Sequence, residues 1–362
     1  MTEGRQIQRA GGGAQQVQVA GDFIVNTGIT EERAHEISLA NAKRVVEQFA
    51  SESHGVLQAR VDELDQRVIE HLSNQGSLDS FADPAFIRSY RKAQEGAASS
   101  ERPADYDMLA ALLADRAKSA RERPIIAGID GAIDVVDRID EEALRALTIA
   151  NTLGQWTITG SLVVPGISLL NDIFNSLIDG PLPMDAEWLD HLDVLNVIRR
   201  NPLSGMKPME EFYSGLLIGC IAPGAMGGGD AEPLTLDAEL VTVLASEDWP
   251  VKIVPHELKS QFFRVGAMSR DDLDRQLKDA GKSDEYVSKV VGLAESEFGF
   301  GQQDEIALKN LMTRMRALTP LGTVMEWWDS NAANGFYITP IGRALARANA
   351  FRLDTDNRLT RN

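Results

Sequence analysis

From Leu39 to Leu72 apolar residues recur at steps of three and four in two stretches, Leu39, Ala42, Val46, Phe49 and, two turns on, Val56, then Leu57, Val61, Leu64, Val68 and Leu72, with a one-residue slip where they join. That spacing puts them on one face of an α-helix. Thr30 stands where an N-cap belongs, and Glu31 and Glu32 fall in the first turn, where the helix dipole favours acids. Unbroken, residues 30 to 73 make a rod of about 66 Å at ~1.5 Å per residue. A rod of that length packs on another long helix or in a bundle between subunits. Gly55 offers the alternative of two ordinary helices broken at that point. The helical oligomerisation face would be Leu39, Val46, Phe49, Leu57, Val61, Leu64 and Val68.

The segment before this helix has a different period. In Gln16 to Asn26, Val17, Val19, Phe23 and Val25 hold odd positions, and Gln16, Gln18, Asp22 and Asn26 hold even ones, with Ile24 the exception. A period of two marks a half-buried strand, and Gly21-Asp22 marks a tight turn or a bulge. Such a ribbon cannot stand alone. Ordering each backbone unit costs about 1–2 kcal/mol, its edges leave N–H and C=O groups unpaired, and little nearby in the chain reads as strand. Pairing with copies of itself, through Val17, Val19, Gly21, Phe23 and Val25, is the leading expectation. Docking on the helical body and disorder are the alternatives.

The rest of the chain is read as helices. Pro84, Asp105, Asp140, Asp185 and Pro208 each precede or open an apolar run, and further helices are expected at 270 to 280, 284 to 298 and 303 to 317. Leu240 to Leu244 and Val251 to Val254 are too short for periodicity to decide between strand and helix end. Gly335 to Ile338 reads as an aromatic strand running into a helix, with Thr339 as N-cap and Pro340 at its first position. The expected fold is mainly α. It consists of a short N-terminal β-strand or hairpin, a long amphipathic helix, a multi-helix body and a small winged-helix-like α+β region at the end. The expected boundaries are a tail at 1–14, the β element at 15–28, the long helix at 29–75, a helical domain at 80–222, a Gly-rich loop at 223–233, the C-terminal domain at 234–353 and a second tail at 354–362.

Composition narrows the function classes. The 362 residues carry 54 acidic and 36 basic side chains, a formal net charge of -18. That field repels phosphate backbones, so general nucleic-acid binding is not expected. One cysteine, Cys220, excludes an intrachain disulfide and a Cys-based zinc cluster, and its apolar surroundings read as a buried structural thiol. The N-terminus has no apolar signal region, which points to the cytoplasm. The most apolar stretch, 158 to 178, is interrupted by Gly160, Pro165, Gly166, Asn171 and Asp172, so a membrane span is not expected.

Chemical motifs are sparse. No phosphate-binding Gly loop with Lys-Ser/Thr, dinucleotide fingerprint or nucleophile elbow occurs. The Gly-rich loop 224 to 230 lacks a following lysine. Glu187 and His191 lie one turn apart and could share a helix face, but that charge pattern is the ordinary one of a solvated helix. Asp248 with Glu257-Leu258-Lys259 has the content of a metal-dependent nuclease, in which two carboxylates hold a metal and the lysine steadies the nucleophile. No catalytic residue, metal or cofactor is assigned. A metal-dependent nuclease or hydrolase, and a membrane-acting toxic effector using 158 to 178, stand as the alternatives to a non-enzymatic role.

Three segments carry a resemblance: Val17 to Val25; Phe81 to Phe86 with Leu109 to Lys118; and Ile338 to Ala346. In this order and spacing they resemble an uncharacterised family of bacterial proteins of similar length. The middle is similar to the helical abortive-infection alpha type, and the Gly-Asp strand is similar to one found near the start of many bacterial conflict-system proteins. The resemblance implies a role in anti-phage defence, and with the ribbon that needs partners the leading expectation is a homo-oligomeric scaffold, sensor or adaptor. Its partners would be copies of itself and a phage or host protein that acts as trigger. These motifs are packing and capping motifs, so no active site is carried over.

Overall fold

The computed structural model describes residues 28–48, 54–119, 122–155, 158, 160–226, 251–356 and 358–359. Among them the protein is mainly helical, with fourteen α-helices and five short strands. The 30–73 period resolves into two helices, α1 (Glu31–Gln48) and α2 (His54–Asn74), that pack on each other. They do not form one rod, and Gly55 lies in the first turn of α2. The Thr30 hydroxyl accepts from the Arg33 N–H at 3.2 Å, as expected of an N-cap.

The body continues through α3 (Pro84–Ser99), α4 (Pro103–Lys118), α5 (Arg123–Ile133), α6 (Glu141–Gln155), α7 (Val163–Leu177) and α8 (Glu187–Val194). Local signals place several of these starts. The Asp83 carboxylate accepts from the Ala85 N–H at 2.9 Å with Pro84 in the first turn of α3, and Asp140 accepts from the Ala143 N–H at 3.0 Å ahead of α6. The start of α4 corrects the expected cap. Arg102 takes the N-cap position, while Asp105 is buried in the first turn beside Ser100 and Arg102.

Strand β1 (Ile198–Asn201) and α9 (Met209–Leu216) follow, then a small α+β unit made of β2 (Ala225–Met226), β3 (Ile253–Pro255), β4 (Phe262–Val265), α10 (Arg270–Asp279) and α11 (Asp284–Phe298). The strands of this unit run β2-β4-β3, all antiparallel. Val251, Val265, Leu273, Leu277, Val290 and Phe298 form its own core. The chain then returns through α12 (Glu305–Arg316), α13 (Leu321–Asn331), β5 (Gly335–Ile338) and α14 (Pro340–Leu353).

The return closes the body. Strand β5 pairs antiparallel with β1, Ile198 opposite Ile338 and Asn201 opposite Gly335. Thr339 caps α14, its hydroxyl accepting from the Gly342 N–H at 3.2 Å. Helix α14 lies against α4, α5 and α6, so the main core takes residues from both sides of the small unit. Two glycines permit the close approach of α5. A Cβ on Gly128 would lie 2.9 Å from that of Pro340, and one on Gly131 would lie 2.7 Å from the Ile341 Cδ1.

Candidate functional site

The residues that looked most like catalytic equipment meet at one junction. Residues 256–261 form the turn between β3 and β4, and their side chains bind three separate stretches of the body. Glu257 accepts from the backbone N–H groups of Val163 and Val164 at 2.5 and 3.1 Å, capping α7 from 93 and more residues away in sequence. Lys259 donates to the Pro223 carbonyl and pairs with Asp304, both at 2.7 Å. Its ammonium also sits 4.1 Å from the centre of the Phe262 ring. The Asp304 carboxyl lies below the usual carboxylate range. Its partial burial pushes the other way, and the bonds from Lys259 and the Ala307 N–H prevail.

The neighbours of this turn are equally occupied. His256 Nε2 lies 2.9 Å from the Ala222 carbonyl while Nδ1 accepts from the Leu258 N–H, which fixes the neutral tautomer with its proton on Nε2. Burial lowers its basicity further. Arg264 is fully buried, donates to the carbonyls of Val265 and Ser161, and lies 3.4 Å from Glu257. Glu257 and Lys259 therefore act as a helix cap and an ion pair, and Asp248 lies outside the described residues. Cys220 is buried with its Sγ 2.9 Å from the Met268 Sδ, and burial pushes the thiol up to about 11. His191 Nε2 accepts from the Asp140 N–H at 3.0 Å and Asp190 pairs with Arg200, so that helix face is engaged in packing. Among the described residues no group of three or more His, Cys, Asp or Glu side chains could hold a metal ion. No described helix is long and apolar enough to cross a membrane.

A second polar centre lies beneath α1, and the sequence reading missed it. Asp65, on α2, is 5% exposed inside an otherwise apolar run. One of its oxygens, Oδ1, accepts from the Tyr90 hydroxyl and from the Gln94 amide, the latter at 2.9 Å. The Tyr90 oxygen lies 2.6 Å from the Ser38 hydroxyl of α1. Since the tyrosine proton is directed to Asp65, Ser38 is the donor to Tyr90. Phe81 and Phe86 wall the ring of Tyr90, Phe81 edge-on at 5.1 Å between centroids. The donors are fewer than the acceptors. Asp65 Oδ2 and Gln94 Oε1 are both fully buried and accept no hydrogen bond from the protein. Burial, ahead of the opposing bonds from Tyr90 and Gln94, pushes the Asp65 carboxyl up to about 6. The only signal in the sequence is an aspartate at a core-facing position of the period, between Leu64 and Val68.

The expected oligomerisation residues fall in different places. Val61, Leu64 and Val68 are fully buried within the chain, Leu64 and Val68 in the main core and Val61 with Ala42, Val45 and Ala98. Leu57 is partly buried against that smaller cluster, and Leu39 is 48% exposed. Val17, Val19, Gly21, Phe23, Val25 and Phe49, and the side chain of Val46, lie outside the described residues.

Comparison with known proteins gives a single kind of result. No curated protein and no solved structure matches the chain. The model of an uncharacterised protein family matches residues 28–357. The matched span takes in every described helix and strand. The chain therefore belongs to this uncharacterised family.

Proposed function

We propose that the protein is a homo-oligomeric scaffold, sensor or adaptor that acts through protein contacts, in bacterial anti-phage defence. The observation that carries the non-enzymatic part is the engagement of the reactive side chains. Glu257, Lys259, His256 and Cys220 are all committed to capping, pairing or packing within the fold. The same commitment speaks against a hydrolase built on Glu257 and Lys259. Self-association rests on the period-two segment from Val17 to Val25, whose backbone needs partners. The defence role rests on the resemblance of the three segments named above to abortive-infection and conflict-system proteins. A cytoplasmic setting and a phage or host protein as trigger belong to the same reading.

Light scattering on the full chain tests it. The expected result is a multimer that dissociates when Val19→Asp and Phe23→Asp are introduced together. A full-length monomer at micromolar concentration overturns the proposal.

A further inference from the structure

Helix α1 is held to the body by an unusually small and polar face. Among its described side chains, at 31–45, the buried ones are Ala34, Ser38, Asn41, Ala42 and Val45, which form one stripe at helical spacing. None of these is larger than valine, and Ile37 beside them is only partly buried. The charged residues of α1, from Glu31 to Glu36 and at Lys43 and Arg44, are exposed. The contact therefore draws little from apolar area, and its centre is the bond from Ser38 to Tyr90 and through it to Asp65.

That centre is a buried carboxyl that lacks a cation. The titratable groups that face it are Tyr90 on α3 and, one turn away on α2 itself, Asp62, which opposes its ionisation. Helix α1 presents Ser38. Helix α4 also packs on α2, and its Asp107 is paired with Arg67, two positions and about 200° around α2 from Asp65. On the same helix Asp105 is bonded to Arg102 and Ser100, and Arg116 is paired with Asp130. On the short 3-10 turn at 78–82, Asp79 accepts from the Ile29 N–H. A buried charge without a partner is costly, its own Oδ2 accepts no bond, and Gln94 Oε1 beside it also lacks a donor.

We propose that Asp65 is a proton-controlled latch for α1: the neutral carboxyl keeps the helix seated, and ionisation releases it. A proton on Oδ2 removes the buried charge and turns one of the two unsatisfied acceptors into a donor. Loss of that proton leaves a carboxylate that only water can satisfy, and lifting α1 admits water. The direction follows from linkage. The carboxyl sits near 6 when covered, against 3.8 when open, so the seating it contributes is complete below about pH 4 and lost as the pH rises through 6. At neutral pH the latch is in its loose state, and acidification tightens it. The latch does not depend on whether residues 16–26 pair between chains.

Hydrogen exchange of the full chain, read by mass spectrometry and corrected for intrinsic rates, tests this. Peptides within 31–48 are expected to exchange roughly ten- to a hundredfold faster at pH 7.5 than at pH 4.5, with smaller changes in α2 and α3. Asp65→Asn carries a permanent amide donor and no charge, so its α1 is expected to stay protected at both values. Wild-type α1 exchange that is flat in pH, or an Asp65→Asn chain that keeps the wild-type dependence, overturns the latch. Should that variant not fold, Tyr90→Phe serves instead. Removing the donor raises the covered carboxyl further and also takes away the Ser38 anchor, so α1 is expected to exchange faster at both values and the ratio between pH 7.5 and pH 4.5 to widen, and an unchanged ratio overturns the proposal.

Discussion

Glu257 is one residue with two structural roles. It satisfies two N–H groups at the start of α7 and lies beside the fully buried Arg264, whose Nε is already without a partner. Glu257→Ala removes both roles and leaves a guanidinium buried without its carboxylate. Urea denaturation is expected to show a loss of about 2–4 kcal/mol. Glu257→Gln, which keeps one acceptor oxygen, is expected to lose less. A change below 0.5 kcal/mol for the alanine variant would count against the capping role. Cys220 gives an independent reading of the same junction. With its thiol near 11 and no exposed surface, it is expected to react with a thiol reagent in the folded protein only as fast as the protein opens. Rapid labelling at neutral pH would contradict its burial. The sequence makes Cys220 legible as a buried thiol because Leu216, Leu217, Ile218 and Ile221 surround it. It could not show Glu257 as a cap, since the helix it caps lies some ninety residues earlier. Asp65 was illegible for a related reason. Its meaning depends on Ser38, Tyr90 and Gln94, brought in from two other helices.

Among elements, helix starts are the best-marked features of the chain. Thr339 and Pro340 announce α14, and the hydroxyl of Thr339 also lies 2.8 Å from the carbonyls of Asn196 and Val197 at the foot of β1. Thr339→Ala is expected to cost about 1–2 kcal/mol, and Thr339→Ser distinctly less, measured as shifts in the denaturation midpoint. The glycines of α5 set a stricter limit. Gly131→Val forces a side chain into the space of Ile341 and is expected to lower stability by about 1–3 kcal/mol. An unchanged melting temperature would mean that α5 and α14 can part without penalty. Helical periods fixed the identity of elements well but not their partners. The run from Leu39 to Leu72 reads equally as a rod or as a folded pair, because a helical period names a face and not what covers it; in the folded pair α1 buries Ala34, Ser38, Ala42 and Val45 and leaves Leu39 half exposed. Only the contacts of α3 and α4 decide that Leu64 and Val68 face inward within one chain.

At the scale of the whole molecule, the fold is a helical body interrupted by a small unit with its own core. The winged-helix-like expectation captured the strand and helix at the end of the chain. It did not reveal that β5 would pair with β1, more than 130 residues earlier, because pairing register leaves no trace in a four-residue strand. Helix α13 precedes that strand and exposes Thr323, Glu326 and Ser330, with Asp329 partly exposed. Of these only Glu326 carries an exposed unpaired charge, since Asp329 pairs with Arg316, so the expectation for nucleic acid rests on the net charge of -18 of the whole chain. The protein is therefore expected to show no retention of duplex DNA at physiological salt in a gel-shift measurement. Micromolar binding would contradict this account of the chain's net charge.

The seat of α14 also dictates when the molecule can become itself. Its Leu345, Ala346 and Ala348 are part of the same interior as Leu109, Leu147 and Ile129, which are translated about two hundred residues sooner. During synthesis the first helices must wait, with that interior open, until the ribosome has delivered position 353. A nascent chain stopped before β5 is therefore expected to keep that interior open to water and to chaperones, and the body to mature only once α14 arrives.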